Sequence, residues 1–265
     1  MSAAVLGVIP ARIGSTRLPR KPLHPVAGRP LIEWVWRRAR STRLFERLVI
    51  ATDSDEVARV AAGFGAEARL TAPEHPSGTD RVAEVVQSPE FGSFPFVINV
   101  QGDEPLVERS HLAAARGLVV DEGWEVGTLV TRFPSRTDWE SPDQVKAVRG
   151  DDGGALFFSR APVPFSRDAP PTDATIGADG MHLRHIGVYA YRREALLRWV
   201  SLPESALERI ERLEQLRPLA AGIRIGLAEV DAAPPGVDTP EDARRVERLL
   251  EQEQSFPEQR PAPPT

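Results

Sequence analysis

The chain has 265 residues, a formal net charge of −5 and no cysteine. A chain of this length can bury roughly three quarters of its unfolded surface, and its acidic balance argues against bulk binding to nucleic acid or an acidic membrane. Without Cys there are no disulfides, thiolate nucleophiles or Cys-ligated zinc; no apolar run reaches the ~18 residues of a membrane span and no signal pattern is present, so a cytoplasmic protein without membrane insertion is expected.

The first apolar run, Val5 to Ile9, suits a buried parallel strand and stops at Pro10, which cannot donate to a strand ladder. Between Ala11 and Gly28 stand four cations, Arg12, Arg17, Arg20 and Lys21, with the hydroxyls of Ser15 and Thr16 and the stiffening Pro19, Pro22 and Pro25. Loop cations are ordinarily just solvated. Their clustering at a strand end, in a loop limited by prolines, favours a preorganised anion site. Neither GxxxxGK[ST] nor GxGxxG occurs, so side chains must do most of the holding. The periodic segment Leu31 to Arg40 reads as a helix, which puts the basic loop at the ligand edge of an open α/β sheet.

Leu48 to Ala51 is a second strand, and Thr52 or Asp53 is placed to cap a helix from Asp55 to Phe64. Glu67 to Leu70 is a weaker strand, and Thr79 to Val86 has helical spacing. This βαβ rhythm predicts a mainly parallel sheet covered on both faces. The tight segment His75 to Val85, HPSGTDRVAEV, offers Ser77, Thr79 and Arg81 as hydrogen-bonding groups, an ordinary Ser/Thr helix cap being the plain alternative. Phe96 to Val100 leads into Gln101-Gly102-Asp103-Glu104-Pro105, which sets the Asp103 carboxylate at the end of a central strand, over the basic loop. A turn Asp is the competing explanation.

A helix over His111 to Val120, a strand over Val126 to Thr131 and a short helix over Arg136 to Glu140 follow. Lys146 lies either near the site or exposed on a strand edge. Ala155 to Phe158 and Leu183 to Tyr191 are extended runs separated by the Pro- and Asp-rich stretch Ser159 to Gly180, a length that suits a lid or a subunit contact. His185 and Tyr189 share one strand face. From Leu207, an apolar stripe of Leu207, Ile210, Leu213, Leu216 and Leu219 predicts one helix, with Glu208, Glu211 and Gln215 on its flank. Ile223 to Val230 is the last strand. Asp238 precedes a helix running to about Leu250, and Asp238 or Thr239 is placed to cap it. There is no internal repeat. Residues 1–250 are expected to form one domain and residues 251–265 a disordered Pro-rich tail.

The segments PARIGSTRLPRKPL, HPSGTDR, NVQGDEP, FSRAPVPFSR, HIGVYAY, LERIERLEQLR and GVDTPED, in this order, resemble the sugar-activating cytidylyltransferases. They are most similar to the CMP-KDO synthetase family, the 3-deoxy-manno-octulosonate cytidylyltransferases. The resemblance implies a three-layer Rossmann-like nucleotidyltransferase fold with a mainly parallel mixed sheet. It also implies Mg²⁺-dependent transfer of CMP from CTP to the anomeric hydroxyl of 3-deoxy-D-manno-octulosonate (KDO), in a homodimer, for lipopolysaccharide biosynthesis. By resemblance, Arg12, Ser15, Arg17 and Lys21 hold the triphosphate, while Ser77, Thr79 and Arg81 lie against the base. Gln101 touches sugar or base, His185, Tyr189, Glu211 and Gln215 line the sugar-acid pocket, and Asp103 and Asp238 bind the metal. Arg12, Lys21, Asp103 and Asp238 form the catalytic set. Arg20 stands where the family commonly has Gly, Pro76 where it often has Gln, and Asp143 where it has Asn. The alternatives are a cytidylyltransferase for a related sugar acid and a non-catalytic nucleotide-binding protein.

Overall fold

The computed structural model describes residues 3–178, 180–232 and 235–255. Its first strand, β1 (Val5–Ala11), alternates between two cores. Leu6 and Val8 join a cluster on one sheet face and Val5 and Ile9 a cluster on the other, as the two-residue period of a strand requires. A two-residue hairpin, β2 (Pro25–Val26) and β3 (Arg29–Pro30), turns the basic loop into α1 (Leu31–Ser41), and Gly28 takes the positive φ of 74° that this turn needs. The βαβ rhythm continues through β4 (Arg47–Thr52), α2 (Asp55–Gly63), β5 (Glu67–Leu70), α3 (Gly78–Gln87) and β6 (Phe96–Asn99).

The remaining elements are α4 (Arg109–Val120), β7 (Val126–Arg132), α5 (Arg136–Glu140), β8 (Lys146–Arg149), β9 (Ala155–Ser159), α6 (Asp173–Ala178) and β10 (Leu183–Arg192). They are followed by α7 (Arg193–Ser201), α8 (Ala206–Glu211), α9 (Leu216–Ala220), β11 (Ile225–Glu229) and α10 (Pro240–Ser255). The main sheet has the order β11-β7-β10-β6-β1-β4-β5, with β8 and β9 attached to β10. β1 pairs parallel with β4 and β6, and β11 parallel with β7, whereas β10 is antiparallel to both β6 and β7. The sheet is therefore mixed and mainly parallel, as expected.

One face carries Val82, Val85 and Val86 of α3 with Leu196 and Trp199 of α7 against Tyr189 and Tyr191 of β10. The other packs Ile32, Val35 and Ala39 of α1 and Leu112, Ala115 and Val119 of α4 against β1 and β6. A third apolar cluster lies at the sheet's ligand edge: Leu18, Val26, Leu31 and Trp34 meet Val237, Val246 and Leu250. It fastens the basic loop to α10, with the Trp34 indole N–H donating to the Val26 carbonyl at 2.7 Å.

Four expectations are corrected. The helix anticipated from Leu207 onward is two short helices, because Arg212 takes the left-handed conformation (φ 54°) that ends α8. Lys146 is neither exposed nor at the cleft. It is fully buried and donates to the carbonyls of Ser141, Gln144 and Arg160, which satisfies all three ammonium hydrogens. Ser54, not Thr52 or Asp53, caps α2 by accepting the Val57 N–H. The last helix runs past Leu250 to Ser255, and the segment 256–265 of the expected tail lies outside the described residues.

Candidate active site

The site lies where the carboxyl ends of β1, β4 and β6 face the basic loop, in a cleft of about 460 Å³. Arg12, Ser15, Arg17 and Lys21 form one wall, Ser77 and Arg81 another, and Gln101, Asp103 and Asp238 the floor. Nine of the residues singled out from the sequence are thus brought together from four separate stretches of chain.

At its centre the Lys21 ammonium donates to Asp103 Oδ2 at 2.5 Å and to Asp238 Oδ1 at 2.8 Å. Arg17 reaches the same Asp238 oxygen at 3.1 Å. Burial works to lower the Lys21 pKa, but the two carboxylates, Asp103 foremost, outweigh it and hold the pKa above the ordinary lysine value. The acids therefore converge on a single cation position, although 135 residues separate them in sequence.

Each half of this arrangement has a local cause. Asp103 follows Gly102, where a Cβ would overlap the Pro10 carbonyl oxygen, so only glycine lets the turn after β6 pass close to the end of β1. Asp238 precedes α10, whose cap is Thr239. The Thr239 hydroxyl accepts the Asp242 N–H at 3.2 Å, and Asp242 accepts the N–H groups of Asp238 and Thr239 in return. With capping assigned to its neighbours, the Asp238 side chain is left to face Lys21 and Arg17. Glu104, which the sequence pattern did not single out, lies beside Asp103. Burial first and the Asp103 charge second push its carboxyl up to about 8, and one of its oxygens is buried with no hydrogen-bond partner among the described residues.

The wall formed by Ser77 and Arg81 is built differently from the expectation. Ser77 does cap α3, accepting the Asp80 N–H, and lines the cleft as well. Thr79 does not reach the cleft: it is buried and donates to Glu214 at 3.0 Å. Arg81 lines the cleft, but its terminal nitrogens bond Asp53, the Thr71 hydroxyl and the Ala72 carbonyl, so it acts mainly as a brace. Asp53, the other end of that brace, is a second residue that the sequence did not place at the site. Its position one residue beyond a central parallel strand was the available signal.

His185, Tyr189, Glu211 and Gln215 stand outside this cleft. The connection is Gln101, whose amide donates to the Gly187 carbonyl at 2.6 Å, at the irregular pairing of β10 between His185 and Tyr189. His185 Nε2 lies 3.0 Å from the Thr128 hydroxyl, and its ring packs against Phe158 and Tyr189; burial lowers its pKa to about 3, so the imidazole is neutral. The Tyr189 hydroxyl is buried, and burial raises its pKa. Glu211 accepts from the Ser159 hydroxyl at 2.7 Å and the Arg160 N–H at 2.9 Å, while Gln215 is buried ahead of α9. The break at Arg212 is the reason Glu211 and Gln215 do not share a helical flank.

The family model described as cytidylyltransferase matches residues 6–225. A 3-deoxy-manno-octulosonate cytidylyltransferase of Gemmatimonas aurantiaca is 49% identical over 242 residues, spanning 91% of this chain and 92% of that protein. The protein of the same name from Pseudomonas fluorescens is 46% identical, spanning 95% of this chain and all of its own. A solved CMP:2-keto-3-deoxy-manno-octonic acid synthetase complexed with CTP superposes with a TM-score of 0.86 at 39% identity, covering 95% of this chain and 100% of that one. A 4-diphosphocytidyl-2C-methyl-D-erythritol synthase from Anaerococcus prevotii shares the fold alone, with a TM-score of 0.59 at 11% identity and coverage of 94% and 99%. The basic loop, both aspartates and the sheet that joins them all fall in the region these relatives span, and the chain belongs to the cytidylyltransferase family, among the 3-deoxy-manno-octulosonate cytidylyltransferases.

Proposed function

We propose that the cleft transfers CMP from CTP to the anomeric hydroxyl of KDO, giving CMP-KDO and pyrophosphate for lipopolysaccharide biosynthesis. The observation that carries this reading is the convergence of Asp103 and Asp238 on the Lys21 ammonium, in the cleft that Arg12 and Arg17 also line. The named relatives and the CTP complex of the solved synthetase support the choice of nucleotide and sugar acid.

The two substrates, a sugar acid and a nucleoside triphosphate, are both anionic, so catalysis rests on positioning and charge neutralisation rather than on a covalent enzyme intermediate. Arg12, Arg17 and Lys21 hold the triphosphate and offset the charge that gathers on the departing pyrophosphate. The anomeric hydroxyl oxygen bonds to the α-phosphorus and releases its proton to solvent, as the bond between the α-phosphorus and the oxygen bridging to the β-phosphorus breaks and its electron pair leaves with pyrophosphate. Ser77 and the backbone around Gly78 face the cytosine. Gln101 sits between the nucleotide and the sugar acid, which lies toward His185, Tyr189, Glu211 and Gln215.

The residues present fit a divalent cation. Asp103 and Asp238 are partly exposed oxygen donors, and Mg²⁺ typically takes one or two carboxylates with phosphate oxygens and waters. Among the described residues no group of three or more His, Cys, Asp or Glu is placed to hold a metal. Asp103 and Asp238 would hold such an ion, which would supply positive charge to offset that of the reacting phosphates. In solution we expect a cytoplasmic homodimer, for which the exposed Phe165, Ile210 and Leu156 offer apolar surface. Among the described residues, no helix is long and apolar enough to cross a membrane.

The deciding experiment measures pyrophosphate release from CTP with KDO, with and without Mg²⁺, and compares UTP and GTP. Release that needs CTP, KDO and the metal is expected. No release, or a preference for another nucleotide, overturns the assignment.

A further inference from the structure

We propose that Asp53 and Arg81 form a positioning pair that sets the phosphate-binding loop against the base-side segment and so fixes the width of the nucleotide cleft. The inference rests on the CTP reading above.

The sheet ladder between β1 and β4 ends at the Ala11–Thr52 pair, and the next residue on each strand enters the ligand edge. There Asp53 continues the ladder with its side chain. Its Oδ1 accepts the Ile13 N–H at 2.9 Å, which would otherwise be an unpaired donor at the strand exit. Its Oδ2 accepts from Arg81 Nη2 at 3.3 Å. Arg81 Nη1 turns the other way, to the Thr71 hydroxyl and the Ala72 carbonyl just beyond β5. A single carboxylate–guanidinium pair, with side chains only 11% and 3% exposed, thus joins the ends of β1, β4 and β5 to the first turns of α3.

The two pieces it joins are the two walls of the cleft. Ile13 stands between Arg12 and the Ser15–Arg17 turn, and Arg81 lies one helical turn from Ser77 and Gly78. With both Asp53 oxygens and the terminal nitrogens of Arg81 engaged within the protein, the pair's role is to hold the walls in register. Such a link bears on CTP, which spans both walls, far more than on the sugar acid, which enters beyond Gln101.

Asp53→Asn tests this, because it keeps the shape and an acceptor for Ile13 while removing the charge that faces Arg81. The KM for CTP is expected to rise about tenfold or more, as misplacement of binding groups by a fraction of an ångström to an ångström does. The KM for KDO should stay within about twofold. Calorimetric CTP affinity, measured without KDO, should weaken in step. Thr71→Val removes one Arg81 partner at nearly constant shape and should shift CTP affinity in the same direction by less. A lowered unfolding midpoint with unchanged CTP affinity, or equal changes in both KM values, overturns the pair's positioning role. Should Asp53→Asn fail to fold, Thr71→Val with wild-type CTP affinity overturns it equally. A wild-type chain that binds CTP but gives no product with KDO sinks the reaction assignment, while the calorimetric comparison still tests the pair.

Discussion

The ammonium of Lys21 lies 2.5 Å from Asp103 Oδ2 and simultaneously bonds Asp238, so a protein cation occupies the point on which the two acids converge. Lys21→Met should lower turnover at least 100-fold, since both the triphosphate contact and the alignment of the acids disappear. It should also leave the two carboxylates with Arg17, on Asp238, as their remaining counter-charge. Mg²⁺ is then expected to raise the unfolding temperature of Lys21→Met more than that of the wild type; equal shifts would remove the acids from the metal site. Asp103→Asn should abolish turnover with the circular dichroism spectrum unchanged.

Gly102→Ala should separate the site from the fold. Its Cβ would meet a backbone oxygen of β1, which cannot swing aside as a side-chain tip can, so the turn carrying Asp103 must move. We expect turnover to fall about 100-fold and stability to drop by about 1–3 kcal/mol. Gly63→Ala, at the end of α2 with nothing within 4 Å of its Cβ, is the control and should behave as wild type in both assays. Equal activity in the two variants would refute this account of Asp103.

Arg20 adopts φ 56° and ψ 36°, the left-handed region in which a side chain is strained, directly before Lys21. Its guanidinium pairs with Glu56 of α2, but both partners are largely exposed and the pair contributes little. Backbone shape therefore outweighs the ion pair at this position. Arg20→Val should be less stable than Arg20→Gly by about 1–2 kcal/mol in urea denaturation. A valine variant as stable as the glycine variant would show that the loop relaxes freely.

Burial holds the His185 pKa at about 3, well below its ordinary 6.5, so the folded protein keeps the ring neutral while the unfolded chain takes up a proton below 6.5. The buried ring therefore costs nothing above 6.5, and stability is lost progressively as pH falls from 6.5 toward about 3, the loss being at most about 2 kcal/mol at pH 5. His185→Gln should flatten the fall in unfolding free energy between pH 7 and pH 5. A slope equal to that of the wild type would place the acid sensitivity elsewhere.

Much of the site was legible because its chemistry travels in contiguous stretches. The loop from Arg12 to Lys21 and the turn around Asp103 each combine a strand end, a turn residue and charged groups in a few residues, and the alternation of apolar runs with helical spacing was enough to put them at one edge of a parallel sheet. The caps were harder. Sequence alone could not divide the duty between Asp238 and Thr239, or between Asp53 and Ser54, because adjacent short polar residues compete for the same N–H groups and only backbone direction chooses among them. That choice set the contacts in both places, since it released Asp238 toward Lys21 and Asp53 toward Arg81.

What the order of residues determined by itself was the fold class and the basic loop, because these depend on local periodicity and residue chemistry, whereas Asp103 and Asp238 were singled out by the resemblance of their segments to those of the cytidylyltransferases. What only tertiary structure decided was who meets whom. It set Lys21 between acids far apart in the chain, took Lys146 into the interior on three carbonyls, and broke the Leu207 stripe at a left-handed Arg212. It also placed Thr79 on Glu214 instead of in the cleft. Those outcomes turn on distances between segments that packing fixes, and no local pattern encodes them.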